Sequence, residues 1–162
     1  MPNLESFPLI FEVRDYECDL QGIVNNAVYQ HYLEHARHQF LKRHGFNFAQ
    51  LAKKGINLVV VRAEVDYKFP LVSGDVFVVE SRLVRLSLVR FAFLQDIFRP
   101  PDRKLILKAR VVCAATDKTG KPIVPKVLAP LFQAASDLKK RNSLIGKIPL
   151  CRLLATDNQE LP

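Results

Sequence analysis

The feature that most constrains this chain is the order of its hydrophobic periods: one stretch at helical spacing, then four β-rich runs in direct succession. From Asn26 the apolar positions Tyr29, Tyr32, Leu33, Ala36 and Phe40 recur at helical spacing. Asn25 or Asn26 offers an N-cap oxygen, and Gly45 a C-terminal stop. The four runs cover roughly 57 to 69, 75 to 86, 88 to 99 and 104 to 116. Their breaks are Pro70-Leu71-Val72-Ser73-Gly74, a tight turn near Ser87, and Arg99-Pro100-Pro101-Asp102. Such short links join antiparallel neighbours, because a parallel pair needs a long crossover. In the last run Leu105, Leu107, Ala109, Val111 and Cys113 alternate with Lys104, Ile106, Lys108, Arg110 and Val112, which predicts a sheet with one better-buried face.

Ahead of the helix, residues 7 to 13 (FPLIFEV) read as a strand, and the polar stretch from Arg14 to Gln21, ending at Gly22, reads as a loop. Strand, helix and four strands define an α+β domain in which a five-stranded antiparallel sheet wraps one central helix. One helix is too narrow to cover five strands, so sheet edges or faces are expected to pair between subunits. Beyond the turn at Asp117 to Pro122, residues 127 to 140 are expected to form a short helix. The domain is drawn as residues 1–140, with 141–162 a weakly patterned tail.

Composition narrows the classes further. The 162 residues are 49% hydrophobic and 25% charged, enough apolar material for one core. No basic start followed by an apolar run is visible, and nowhere do eighteen apolar residues stand together, so a cytoplasmic protein without integral membrane association is expected. Cys18, Cys113 and Cys151 have no CxxC spacing and suggest neither a disulfide framework nor a zinc knuckle. The net charge of +8 calls for an anionic partner. Its basic residues are scattered and accompany no nucleic-acid-binding signature, which favours a phosphate-bearing small molecule or an acidic carrier over nucleic acid.

Chemistry concentrates in Arg14-Asp15-Tyr16-Glu17-Cys18-Asp19-Leu20-Gln21-Gly22-Ile23-Val24-Asn25-Asn26-Ala27-Val28-Tyr29. An acid and a glycine lie just before a helix start, where unpaired N–H groups carry partial positive charge and can hold a developing oxyanion. A nearby Asp could attack a carbonyl or activate water. On spacing alone, turn and cap chemistry explains the same residues. His31-Tyr32-Leu33-Glu34-His35 spells the H-x-x-E-H pattern of a zinc protease family. Those histidines and His38 fall opposite the apolar stripe, so the reading here is surface histidines and no metal.

The pattern Asp19-x-x-Gly22-x-Val24-Asn25-Asn26-x-x-Tyr29-x-x-Tyr32-x-Glu34-x-x-Arg37 resembles the signature of the 4-hydroxybenzoyl-CoA thioesterase family of hotdog-fold proteins. Val60 to Tyr67, Pro70 and Gly74-Asp75 are similar to that family's second and third strands. The likeness runs from about Phe7 to Val127, and its first motif looks most like the plant and cyanobacterial acyl-ACP (acyl-lipid) thioesterases. The resemblance implies hydrolysis of a fatty acyl-ACP or acyl-CoA thioester without a cofactor, in a homodimer or homotetramer with sites at subunit interfaces. It implies that Asp19 is the catalytic carboxylate and that the backbone N–H of Asn26 polarises the carbonyl. The same residues would serve an aromatic or quinone-pathway acyl-CoA ester, or, without catalysis, an acyl- or carrier-binding protein.

Around that pair, Gly22 is expected to supply a positive-φ turn and Asn25 to bond loop backbone or orient substrate. Tyr29 lies on the apolar stripe. Glu34 can pair with Arg37 at i, i+3 or stand beside the pocket. Val61 and Arg62 are expected to meet substrate, with Val59 and Phe69 as further apolar walls or as core packing. Arg85 and Arg90 flank a strand turn and suit a phosphate of the coenzyme or carrier arm.

Overall fold

The helical stripe becomes α1, Asn26–Arg43, and both of its ends are set by local chemistry. The Asn25 Oδ1 accepts from the Ala27 amide at 2.9 Å, closing the N-terminus. At the other end Gly45 adopts φ +83°, the Gly45 amide donates to the Lys42 carbonyl at 3.0 Å and the Phe46 amide to the Leu41 carbonyl at 2.9 Å. That paired closure needs a left-handed residue, which glycine supplies without a Cβ penalty.

The computed structural model describes residues 7–132. The strands are β1 (Phe7–Glu12), β2 (Asn57–Tyr67), β3 (Val76–Arg85), β4 (Arg90–Arg99) and β5 (Lys104–Thr116). They form one antiparallel sheet in the order β1-β3-β4-β5-β2. A 3₁₀ turn at Asp15–Glu17 and a short helix α2, Phe48–Lys53, complete the elements ahead of β2. α2 is too short for its period to register in the sequence; its N-cap, the Asn47 Oδ1 accepting from Ala49, is its clearest mark.

The inner sheet face buries Phe77, Val79, Phe91, Phe93, Ile97 and Val111 against Tyr32, Leu33, Ala36 and Phe40 of α1. Phe11 stacks on Phe77 with ring centres 5.2 Å apart, and Phe40 meets Phe93 edge-on at 5.8 Å. The alternation in β5 holds from Leu107 to Val111 and fails at Ile106, which is fully buried. The reason is a bulge: Ile97 pairs with Leu107 and Phe98 with Leu105, leaving Ile106 as the extra residue.

A second bulge makes Val61 the extra residue on β2, since Val60 opposes Cys113 and Arg62 opposes Val112. β2 is an edge strand, and Val59, Val60 and Val61 are 40%, 52% and 50% exposed. After a 3₁₀ turn at Lys126–Leu128 the chain is helical from residue 129, with Leu131 and Phe132 buried. The rest of the helix expected over 127 to 140, and the tail from 141, lie outside the described residues. Among the described residues no helix is long and apolar enough to cross a membrane.

Candidate active site

The loop from β1 to α1 is held at several points before it reaches the helix. The Val13 amide donates to the Asp75 carbonyl, and the Gly74 amide to the Val13 carbonyl, both at 2.9 Å. The Glu17 Oε2 accepts from the Arg14 amide at 2.8 Å and from the Tyr32 hydroxyl at 2.6 Å. Cys18 then bridges Val24 in antiparallel fashion, and the Asp19 amide donates to the Ile23 carbonyl at 2.8 Å. Gly22 turns the chain with φ +76°, as expected, while its amide donates to the Asp19 carbonyl at 3.0 Å. Open space surrounds Gly22, so glycine is required there by backbone conformation rather than by crowding.

Asp19 therefore stands half-buried at the neck of a tight turn. Its Oδ1 accepts from the Gln21 amide at 2.8 Å, and its Oδ2 has no protein donor among the described residues. One oxygen is held and the other carries no hydrogen bond from the described residues. The returning strand delivers Asn25, whose amide donates to the Glu17 carbonyl at 3.0 Å and whose side chain caps α1. The next amide, that of Asn26, has no acceptor among the described residues and sits at the positive end of the helix.

Two tyrosines border this helix end. Tyr29 is buried, and its hydroxyl accepts from the Leu71 amide at 3.1 Å; burial raises its pKa above the ordinary value. Tyr67, on β2, donates its hydroxyl to the Asn26 carbonyl at 3.2 Å and meets the Tyr29 ring edge-on at 5.6 Å. Tyr67 ends the strand motif that begins at Val60, and only the β2 register reveals where its hydroxyl goes. Sequence does not reveal the contact of Glu17 with Tyr32 either, because an apolar stripe explains Tyr32 by packing alone.

The remaining candidates are dispersed. Glu34 is exposed, and of its two readings the i, i+3 pairing with Arg37 does not form: Arg37 is buried and donates its Nη1 to the Gln95 Oε1 at 3.0 Å. Val59, Val61 and Phe69 are 40%, 50% and 49% exposed, so core packing within the chain does not account for them. Arg62 pairs with Glu64 at 2.6 Å. Arg85 donates its Nε to the Ser87 carbonyl, and both Arg85 and Arg90 stand at the β3–β4 turn. That turn lies a full strand from Asp75, roughly 30 Å at the usual rise per residue.

His31, His35 and His38 are all exposed, and no cluster of three or more metal-ligating side chains occurs among the described residues. A concavity of about 940 Å³ opens beside β1 and α1, lined by Phe11, Glu17, Tyr32, His31 and His35 among others; Asp19 and Asn26 are not among its walls.

The model of the thioesterase-like superfamily matches residues 13–135. The chain belongs to that superfamily. It is 39% identical over 122 residues to a protein of Arabidopsis thaliana named acyl-acyl carrier protein thioesterase ATL3, chloroplastic, covering 75% of this chain and 64% of that one. The chain thus spans less than two thirds of that relative. It is 30% identical to the long-chain acyl-CoA thioesterase FadM of Escherichia coli, covering 69% of this chain and 85% of that one. A crystal structure of a hypothetical protein from Aquifex aeolicus, 33% identical, superposes with a TM-score of 0.72 over 77% of this chain and 98% of its own. The observed sheet and helix are the hotdog arrangement shared by this superfamily.

Proposed function

We propose that the chain is a thioester hydrolase, cleaving a fatty acyl-ACP or acyl-CoA to the free acid and the thiol, with Asp19 as its catalytic carboxylate. One observation carries this reading: an Asp with one unbonded carboxylate oxygen lies on a loop tied by its own backbone to a helix end whose first amide, at Asn26, has no acceptor among the described residues. The Asn26 N–H donates to the thioester oxygen and stabilises the charge that develops there. Asp19 either attacks the carbonyl carbon, giving an anhydride that water opens, or takes a proton from the water that attacks. Either route releases the thiolate without a metal or redox cofactor.

The acyl chain lies against the exposed Val59, Val61 and Phe69, walled by a second copy of the chain. Tyr29 and Gly22 shape the site, and Arg62, Arg85 and Arg90 present positive charge to the phosphate-bearing arm, the last two across a subunit boundary. The long-chain acyl-CoA in the name of the Escherichia coli relative favours a fatty acyl group over an aromatic one.

The test is thiol release across matched CoA and carrier-protein substrates, with wild type beside Asp19→Asn. The variant is expected to lose at least ~100-fold in kcat while its unfolding midpoint stays close to wild type. Near-normal turnover by the Asn variant on the best substrate would remove Asp19 from the mechanism. Saturable binding without product from wild type would make the chain an acyl-binding protein instead.

A further inference from the structure

We propose that Glu17 and Tyr32 form a positioning clamp that fixes the Asp19 turn against the N-terminus of α1; as a statement about catalysis it rests on the Asp19 reading above. Glu17 is 8% exposed, and its carboxylate takes no part in the proposed chemistry. A buried carboxylate needs donors to offset its desolvation, and three converge on it. The Arg14 amide and the Tyr32 hydroxyl both reach Oε2, at 2.8 and 2.6 Å, and the Arg14 guanidinium reaches Oε1 at 3.3 Å. The tyrosine contact has the short length of a charge-assisted hydrogen bond.

The position of these bonds gives them a consequence for the site. Tyr32 belongs to α1 and Glu17 to the loop, so their contact joins the two elements that carry the reacting groups. The Glu17 carbonyl meanwhile accepts from the Asn25 amide, the residue that caps α1 and precedes Asn26. Asp19 follows Glu17 by two residues, just past the Cys18–Val24 bridge. One residue thereby holds the carboxylate side of the turn by its side chain and the amide side by its backbone.

Tyr32→Phe removes only the hydroxyl. It is expected to lower kcat ~10-fold with KM nearly unchanged, since small misplacements of a reacting group are costly while substrate contacts remain. Amide hydrogen exchange at Asp19 and Asn25 is expected to speed up ~10-fold, with β4 amides unaffected. Glu17→Gln keeps a carbonyl oxygen for both Arg14 N–H and Tyr32 O–H, and should stay within about threefold of wild type in kcat. Glu17→Ala should reproduce the Tyr32→Phe defects.

Unchanged kcat and unchanged loop exchange in Tyr32→Phe would overturn the clamp. So would an equal loss in Glu17→Gln, or a loss accompanied by matching acceleration in β4, which marks a merely structural bond. If wild type turns over no thioester, the hydrolase reading fails by itself, and the exchange comparison decides the clamp.

Discussion

At Tyr32 two influences act in one direction: burial, then the hydrogen bond to Glu17, raise the phenol well above its ordinary pKa of 10.0. An unfolded tyrosine ionises near that ordinary value, whereas the folded one keeps its proton to higher pH. The stabilisation is therefore complete below about pH 10 and declines as pH climbs further, where the folded state binds more protons than the unfolded. Wild type should lose more of its urea stability than Tyr32→Phe between about pH 9 and pH 11, and equal losses would contradict the assignment. Near neutral pH the same variant should cost about 1.5–3 kcal/mol, the usual worth of a hydrogen bond to a charged group. Such a bond is illegible in sequence because its partners stand fifteen positions apart in different elements. Gly22, by contrast, was legible from local turn chemistry, and Asn25 from its place just before an apolar stripe. Arg37 misled: helix spacing paired it with Glu34, yet it follows Leu33 by four and precedes Phe40 by three, which turns it inward to a partner fifty-eight residues away.

Among elements, α1 docks to the sheet through apolar packing and one buried polar node. Gln95 of β4 accepts from Arg37 while its Nε2 donates to the Leu33 carbonyl and to the Ser81 hydroxyl, each at 3.0 Å. Arg37 pairs with no carboxylate among the described residues, and burial lowers its pKa. Gln95→Leu should thus leave a buried cation unpartnered and destabilise the fold by about 2–4 kcal/mol. Arg37→Met in the same molecule should restore most of that loss, because an apolar pair of similar size leaves no charge stranded. Urea unfolding of the two single variants and the double variant measures the coupling; additive losses would show that the node is not a unit. The elements that sequence revealed were those with a sustained period or a strong terminator, namely α1 and the five strands. It concealed the bulges at Val61 and Ile106, since an extra residue is defined by the partner strand and not by its own run. The Ile106 bulge also shapes the site's surroundings, for the Ile106 carbonyl accepts from the Lys68 and Phe69 amides where β2 ends near Tyr67.

For the molecule as a whole, the two sheet edges differ in what they offer a neighbour. β1 carries Pro8, which lacks an N–H, and the exposed Glu12, both of which discourage further pairing. β2 runs eleven residues without proline and exposes three consecutive valines, 59 to 61. A long apolar edge of this kind persists when something covers it, and a two-fold copy of β2 would do so with identical contacts on both sides. The same copy would wall the exposed Tyr67 and Phe69 beside the helix end, completing a site that one chain leaves open. Val60→Lys places a charge in the middle of that edge, on a side chain already half-exposed, so the chain's own fold should tolerate it. Wild type is expected to sediment as a dimer or tetramer at micromolar concentration. The lysine variant should sediment as a monomer and lose thioesterase activity in proportion to the dissociated fraction, regaining it when concentration is raised. A wild-type monomer with full turnover would show that β2 stays unpaired and that each chain assembles its site alone.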